Sequence, residues 1–181
     1  MIQTELELTY LARTLPDGLA NCPSKLIVDV YYPAERDHPS LRVRQRGDRY
    51  EITKKLVASG TDSSHQMEHT IQLDEEEYRA LTQNPGRRVA KRRYLYTYQG
   101  RTAEIDVFQG ELTGLVEVDF EFDDREEQLA FQMPDFCLAD VTQEAFAAGG
   151  KLAGKSYADI QPFLEKYNYK PLNMEEEHVA V

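Results

Sequence analysis

Five stretches of the chain set charged residues two apart, and a sixth sets a lysine two from a threonine. Glu5 and Glu7 stand in ELELTYLA, Glu104 and Asp106 in AEIDVF, and Glu117, Asp119 and Glu121 in LVEVDFEF. Arg42, Arg44 and Arg46 stand in LRVRQRG, Lys55 beside Thr53 in EITKKL, and Lys91 and Arg93 in RVAKRRY. A strand turns successive side chains to opposite faces, so each set shares one face and the intervening apolar residues share the other. The two signs do different chemistry. Carboxylates hold a hard divalent cation, magnesium or manganese (Mg2+ or Mn2+), through oxygen. Arginine and lysine clamp phosphate oxygens, arginine often with two parallel bonds. Together they suit a metal-bound polyphosphate.

Such a pairing needs an element that brings the stripes face to face. Period-two alternation predicts eight strands, near 3–11, 26–32, 41–46, 50–57, 67–73, 88–98, 102–109 and 114–122. RGDR at 46–49 and YQGR at 98–101 read as hairpin turns, which makes the sheet largely an antiparallel meander. If the sheet stays open, the charged face meets solvent, as one face of many antiparallel sheets does. If it closes with its apolar face outward under helices, the charges line a tunnel wide enough for side chains or one small ligand. The expected fold class is therefore α+β, mostly β: a closed eight-stranded antiparallel barrel with helices packed outside. Three helices are expected. One is EEEYRALTQ, capped by Asp74 and stopped by Asn84-Pro85-Gly86; the second is REEQLAFQM, ended by Pro134. The third is SYADIQPFLEKYNY, with Pro162 at its first turn or a kink.

The 181 residues read as a single domain over 1–181, with the core over about 2–160 and a C-terminal helix and acidic tail over 156–181. A formal net charge of −11 argues against broad binding to nucleic acid or anionic membrane. Cys22 and Cys137 are too few for a disulfide framework. The sequence shows neither a secretory leader nor an apolar run of the roughly 20 residues that a membrane span needs. A cytoplasmic protein without nucleic-acid or membrane partners is expected, with a homodimer left open.

Two rival motifs carry less. GGKLAGKS at 149–156 fits the phosphate-loop pattern GxxxxGK[ST], but QEAFAAG before it does not read as the buried strand that motif requires. A flexible glycine-rich connection into the last helix is expected there. His65 and His69 have helical spacing in a segment that reads as strand, where they would not converge on a metal.

The order ELELT, LRVRQRG, ITKKL, MEHTIQL, RRVAKRRY, EIDVF and LVEVDF, then DVT at 140–142, resembles the CYTH superfamily of triphosphate tunnel metalloenzymes. The resemblance spans residues 5 to about 142. It implies an eight-stranded tunnel and metal-dependent hydrolysis of a triphosphate, most simply inorganic tripolyphosphate. Thiamine triphosphate hydrolysis, cyclisation of ATP in the manner of a class IV adenylate cyclase, and binding without turnover are the alternatives. Carried over by position, it implies that Arg42, Arg44, Lys55, Lys91 and Arg93 bind phosphate. Glu5, Glu7, Glu117 and Asp119 would hold the metals, with Glu68, Glu104 and Asp106 in the same chemistry. Two positions depart from the family pattern. Thr9 stands where a lysine is usual, and Thr70 where a second acid would follow Glu68.

Overall fold

The alternating stretches become strands because one set of side chains is apolar and the other charged, and only a two-sided sheet separates them. A computed structural model describes residues 2–57, 62–83 and 87–174. Its strands are β1 (Ile2–Ala12), β2 (Ser24–Tyr32), β3 (Leu41–Arg46), β4 (Arg49–Val57), β5 (His65–Leu73), β6 (Arg87–Tyr98), β7 (Arg101–Phe108), β8 (Val116–Phe122) and β9 (Cys137–Asp140). All pair antiparallel in the order β5-β4-β3-β2-β6-β7-β8-β1, and β1 pairs back to β5, which closes the barrel. The eight expected strands are present with ends moved by one or two residues. The ninth, β9, lies on the far half of β1 and is too short for its four residues to show a period. In the YQGR turn Gln99 and Gly100 both take positive φ, 49° and 79°, the left-handed pair that suits a two-residue hairpin.

The outer face of β1, β6, β7 and β8 is apolar. Tyr10, Tyr94, Ile105, Val118 and Phe120 are buried there beneath Leu19, Phe131, Phe136 and Leu172. Helix α1 (Glu75–Leu81) starts at the expected Asp74 cap, which closes into a capping box, with Asp74 accepting from the Glu77 N–H at 2.8 Å and Glu77 accepting from the Asp74 N–H at 2.9 Å. Its expected stop at 84–86 lies outside the described residues, as does the tail beyond 174. Helix α2 is shorter than expected, Arg125–Ala130, and Phe131 already leaves the helical region before Pro134.

One end of the barrel is closed. The inward positions there change from charged to apolar, with Leu11, Tyr31, Val89 and Phe108 packed against Val141, Phe146, Ala147 and Leu152. The GGKLAGKS segment builds this plug and is no phosphate loop. It follows a single helical turn at Ala145–Ala147, begins the short helix α3 (Gly149–Leu152), and ends where Ser156 caps α4 (Tyr157–Leu164). The expected flexible connection is thus a packed one, because its first two glycines stand at close approaches. A Cβ on Gly149 would lie 2.3 Å from the Tyr31 hydroxyl, and one on Gly150 would lie 2.4 Å from the Pro39 carbonyl oxygen. Since a backbone carbonyl cannot swing aside, Gly150→Ala is expected to destabilise the fold by about 1–3 kcal/mol in denaturant titrations. An unchanged midpoint would contradict this packing. Pro162 falls at the sixth helical position of α4, not in the first turn.

Candidate functional site

The barrel encloses a cavity of about 590 Å³. Strand order largely sorts its walls by charge, since β7, β8 and β1 are neighbours and carry most of the acids while β6, β3 and β4 carry the cations, with Asp29 on β2 and Glu68 on β5 as acids set among them. Glu5, Glu7, Glu68, Glu104, Glu117, Asp119, Arg42, Arg44, Lys55, Lys91 and Arg93 all line the cavity. Eleven of the twelve residues expected from the sequence are therefore brought together. Asp106 is the exception. It is fully buried and lies behind the wall, where it pairs with Lys91 and takes both forks of Arg93 at 2.7 and 2.6 Å. Its two oxygens fix where those two cations stand.

The walls meet through ion pairs. Lys55 donates to Glu5 at 2.5 Å and lies 3.4 Å from Glu68, which also receives Arg42 at 3.3 Å. Arg93 contacts Glu104 and reaches Asp119 at 3.0 Å. Thr9 donates its hydroxyl to Asp119 at 2.8 Å, so this position offers the acid wall a neutral donor. Thr70 donates to Glu68 at 2.8 Å and its oxygen lies 3.1 Å from that of Thr53. His65 and His69 lie on β5 in different pairs, opposite Leu6 and Ile2 of β1, and His69 also faces Lys54 of β4.

No protein-family model matches the chain. An inorganic triphosphatase of Nitrosomonas europaea is 35% identical over 144 residues, which cover 78% of this chain and 91% of that protein. An inorganic triphosphatase of Acetivibrio thermocellus is 31% identical over 124 residues, covering 67% and 76%. The chain belongs to this family of inorganic triphosphatases. A crystal structure of an inorganic triphosphatase superposes with a TM-score of 0.62 at 28% identity, covering 83% of this chain and 95% of that one.

Within this family member the acid wall is crowded. Glu117 is only 4% exposed, and its Oε1 is buried without a hydrogen-bond partner. Burial, then the charges of Asp119, Asp106 and Glu7, push its carboxyl well above the usual carboxylate range, with Lys91 opposing. Burial and the nearby Glu7 and Asp106 push Asp119 up to about 7, against the pull of Arg93 and Lys91. Burial and the charges of Glu104, Glu7 and Glu5 do the same to Glu121, also up to about 7. Among the described residues no three acids already converge as a cation cage. The all-oxygen donor set and the orphaned Glu117 oxygen nonetheless fit a hard divalent cation.

These shifts set the pH dependence of stability. An acid whose folded pKa is raised favours the folded state below its unfolded value, and that benefit is lost as pH rises through the folded value. For Asp119 and Glu121 the window runs from about 4 to about 7. Burial opposes but does not overcome Arg93 and Lys91 at Asp106, or Arg42 and Lys55 at Glu68, so both carboxyls are held near 2 and fail only in stronger acid. The melting temperature of the metal-free protein is therefore expected to rise as pH falls from 8 to 5. A flat or falling profile would mean that the acid wall is not strained.

Two lumenal residues escape a reading of the sequence. Asp29, a lone acid in the apolar run SKLIVDVYY, is buried and takes both forks of Arg44 at 2.7 and 2.8 Å. Burial opposes it, but the Arg44 guanidinium holds its carboxyl well below the usual range. Its signal was its parity with Ile27 and Tyr31 on the inward face. Tyr31 belongs to both the lining and the plug.

Proposed function

We propose that this chain hydrolyses inorganic triphosphate with a divalent metal, magnesium or manganese, in the cytoplasm, and that its fold is the CYTH triphosphate tunnel. The observation that carries this reading is the charge lining of one barrel cavity, in which carboxylates outnumber cations. A bare polyanion would be repelled from such a lumen, whereas one that arrives with cations satisfies both walls.

Arg42, Arg44 and Lys55 on one side and Lys91 and Arg93 on the other would bind phosphate oxygens. The buried Nε of Arg42 has no partner in the fold and is one donor an anion can take. Asp29 and Asp106 hold Arg44 and Arg93 in fixed orientations, so little reorganisation is needed when charge develops. Glu5, Glu7, Glu117 and Asp119 would hold the metal. When bound, it would neutralise phosphate oxygens and stabilise the charge that builds during phosphoryl transfer. Glu121, with its pKa raised to about 7, can take up or release a proton near neutral pH as water is consumed.

The test is phosphate release from tripolyphosphate with magnesium or manganese, against ATP and thiamine triphosphate. Release that needs metal and is abolished by Glu5→Gln supports the reading. Metal-dependent binding without release would make the chain a binding module, a reading Thr9 favours because it sets a neutral hydroxyl against Asp119 where the resemblance implies a lysine. A cyclic product from ATP would make it a cyclase.

A further inference from the structure

Among the described residues the strand pairing of β1 is interrupted on one side over a short stretch, a seam that holds an acid of the site. Along one edge β1 pairs with β8 through residues 6–11. Along its other edge β5 covers only residues 2–6 and β9 only residues 10–12. Glu7 falls in the gap between them.

A side chain fills the place of the missing strand. Gln128 of α2 donates its carboxamide to the Glu7 carbonyl at 3.1 Å and to the Ser64 carbonyl at 3.2 Å. The Ser64 carbonyl also accepts the Glu7 N–H at 3.2 Å, so the three groups form one closed bridge. Gln128 is only 3% exposed. Its own carbonyl oxygen accepts from Arg125 at 2.6 Å, which orients the amide with its NH2 toward the two backbone oxygens. Arg125 in turn is held by the Ser64 hydroxyl at 2.9 Å and by Asp62 at 3.0 Å. Asp62 also accepts from the Ser64 N–H and hydroxyl and from Gln143, at 3.0, 2.6 and 3.1 Å. Asp124 caps α2 by accepting from the Glu127 N–H at 2.8 Å, which fixes the helix that carries both Arg125 and Gln128.

We infer that Gln128 is a positioning residue for the acid wall: its carboxamide, aligned by Arg125, replaces the absent strand and holds the Glu7 backbone in register so that the carboxylate faces the lumen. It touches no substrate. The inference rests on the proposed function only in taking Glu7 as a working acid; the bridge itself does not depend on turnover. Because the phosphate-binding cations Arg42 and Arg44 lie on β3 and Lys91 and Arg93 on β6, strands that do not pair with β1, loss of the bridge should affect rate more than substrate affinity.

The test is Gln128→Met, which keeps length and removes both donors, with Leu129→Ala as the control on the same helix at a side chain 74% exposed. Amide hydrogen exchange of the metal-free protein is read first. The Glu7 amide should exchange about tenfold faster in Gln128→Met, the worth of one hydrogen bond. The Leu8 and Tyr10 amides, in the register with β8, should keep their protection, and Leu129→Ala should resemble the wild type. With tripolyphosphate and magnesium, kcat should fall about tenfold while KM stays within about twofold. Unchanged exchange at Glu7, or faster exchange shared equally by Leu8 and Tyr10, would overturn the proposal. So would a rise in KM with kcat kept. A wild-type protein that releases no phosphate would defeat the proposed function alone, and the exchange data would still decide whether Gln128 holds the seam.

Discussion

Glu117→Gln is expected to give a protein that is more stable at pH 8 and no longer active. The usual outcome of altering a buried charged residue is loss of stability, because a partner is stranded. Here no partner is stranded at the orphaned oxygen, since Glu117 Oε1 has none. Its carboxylate instead adds to the field that Asp119, Asp106 and Glu7 create, with Lys91 as the opposing charge. Glutamine keeps the shape, removes that repulsion, and brings donors into a wall of acceptors. A gain of about 1–2 kcal/mol at pH 8 is expected, or roughly 2–8 °C in melting temperature for a chain of this size. The gain should shrink as pH falls, because burial and the neighbouring acids make the wild-type carboxyl take up its proton well above the usual carboxylate range. Activity should move the other way, falling about 100-fold or more, because the substitution removes a charge from the cluster assigned to the metal. Magnesium should stabilise the wild type and leave Glu117→Gln nearly unaffected, since a ligand stabilises only the state that binds it. A variant less stable than wild type at pH 8 would show that the carboxylate is compensated within the fold, and the strained acid wall would then be wrong.

That opposition between stability and activity explains which parts of the site could be read from the sequence. Stripes such as ELELT and VEVDF are legible because a strand with charge on one side and apolar packing on the other repeats every two residues. Closure into a barrel was legible only as the condition under which six such stripes become useful together. Depth along the lumen was not legible. Glu104 and Asp106 have the same parity in AEIDVF, yet Glu104 lines the cavity and Asp106 lies buried behind Lys91 and Arg93. The plug left a trace, since Leu11 follows Glu5, Glu7 and Thr9 on the inward side and marks where the lumen ends. Gln128 left none. Its partner carbonyls are more than sixty positions away in sequence, and a hydrogen bond to a backbone atom writes no signature in the residue it holds.

Arg93→Met should be the most destabilising change in the lumen, and the way its effect depends on pH tests the charge sorting directly. The guanidinium takes both oxygens of Asp106, contacts Glu104 and reaches Asp119 at 3.0 Å, so one side chain compensates three acids. Methionine fills much of the volume but leaves Asp106 with Lys91 alone and Asp119 beside Glu7 and Glu117. Breaking a buried network from one side costs about 3–5 kcal/mol. At roughly 2–4 °C per kcal/mol, the melting temperature at pH 8 should fall by about 10 °C. Arg93→Lys keeps the charge but loses the planar fork, so its loss should be smaller yet clear. The remedy should be protons. As pH falls toward 5 the stranded Asp119 can protonate, so the gap between Arg93→Met and wild type should narrow. Asp119→Asn added to Arg93→Met should likewise recover part of the loss at pH 8, appearing as a coupling energy in the double-mutant cycle. A loss independent of pH and additive with Asp119→Asn would mean that Arg93 acts through packing. The acid wall would then hold its charges without help from the basic one, and the two walls could not be parts of one electrostatic device.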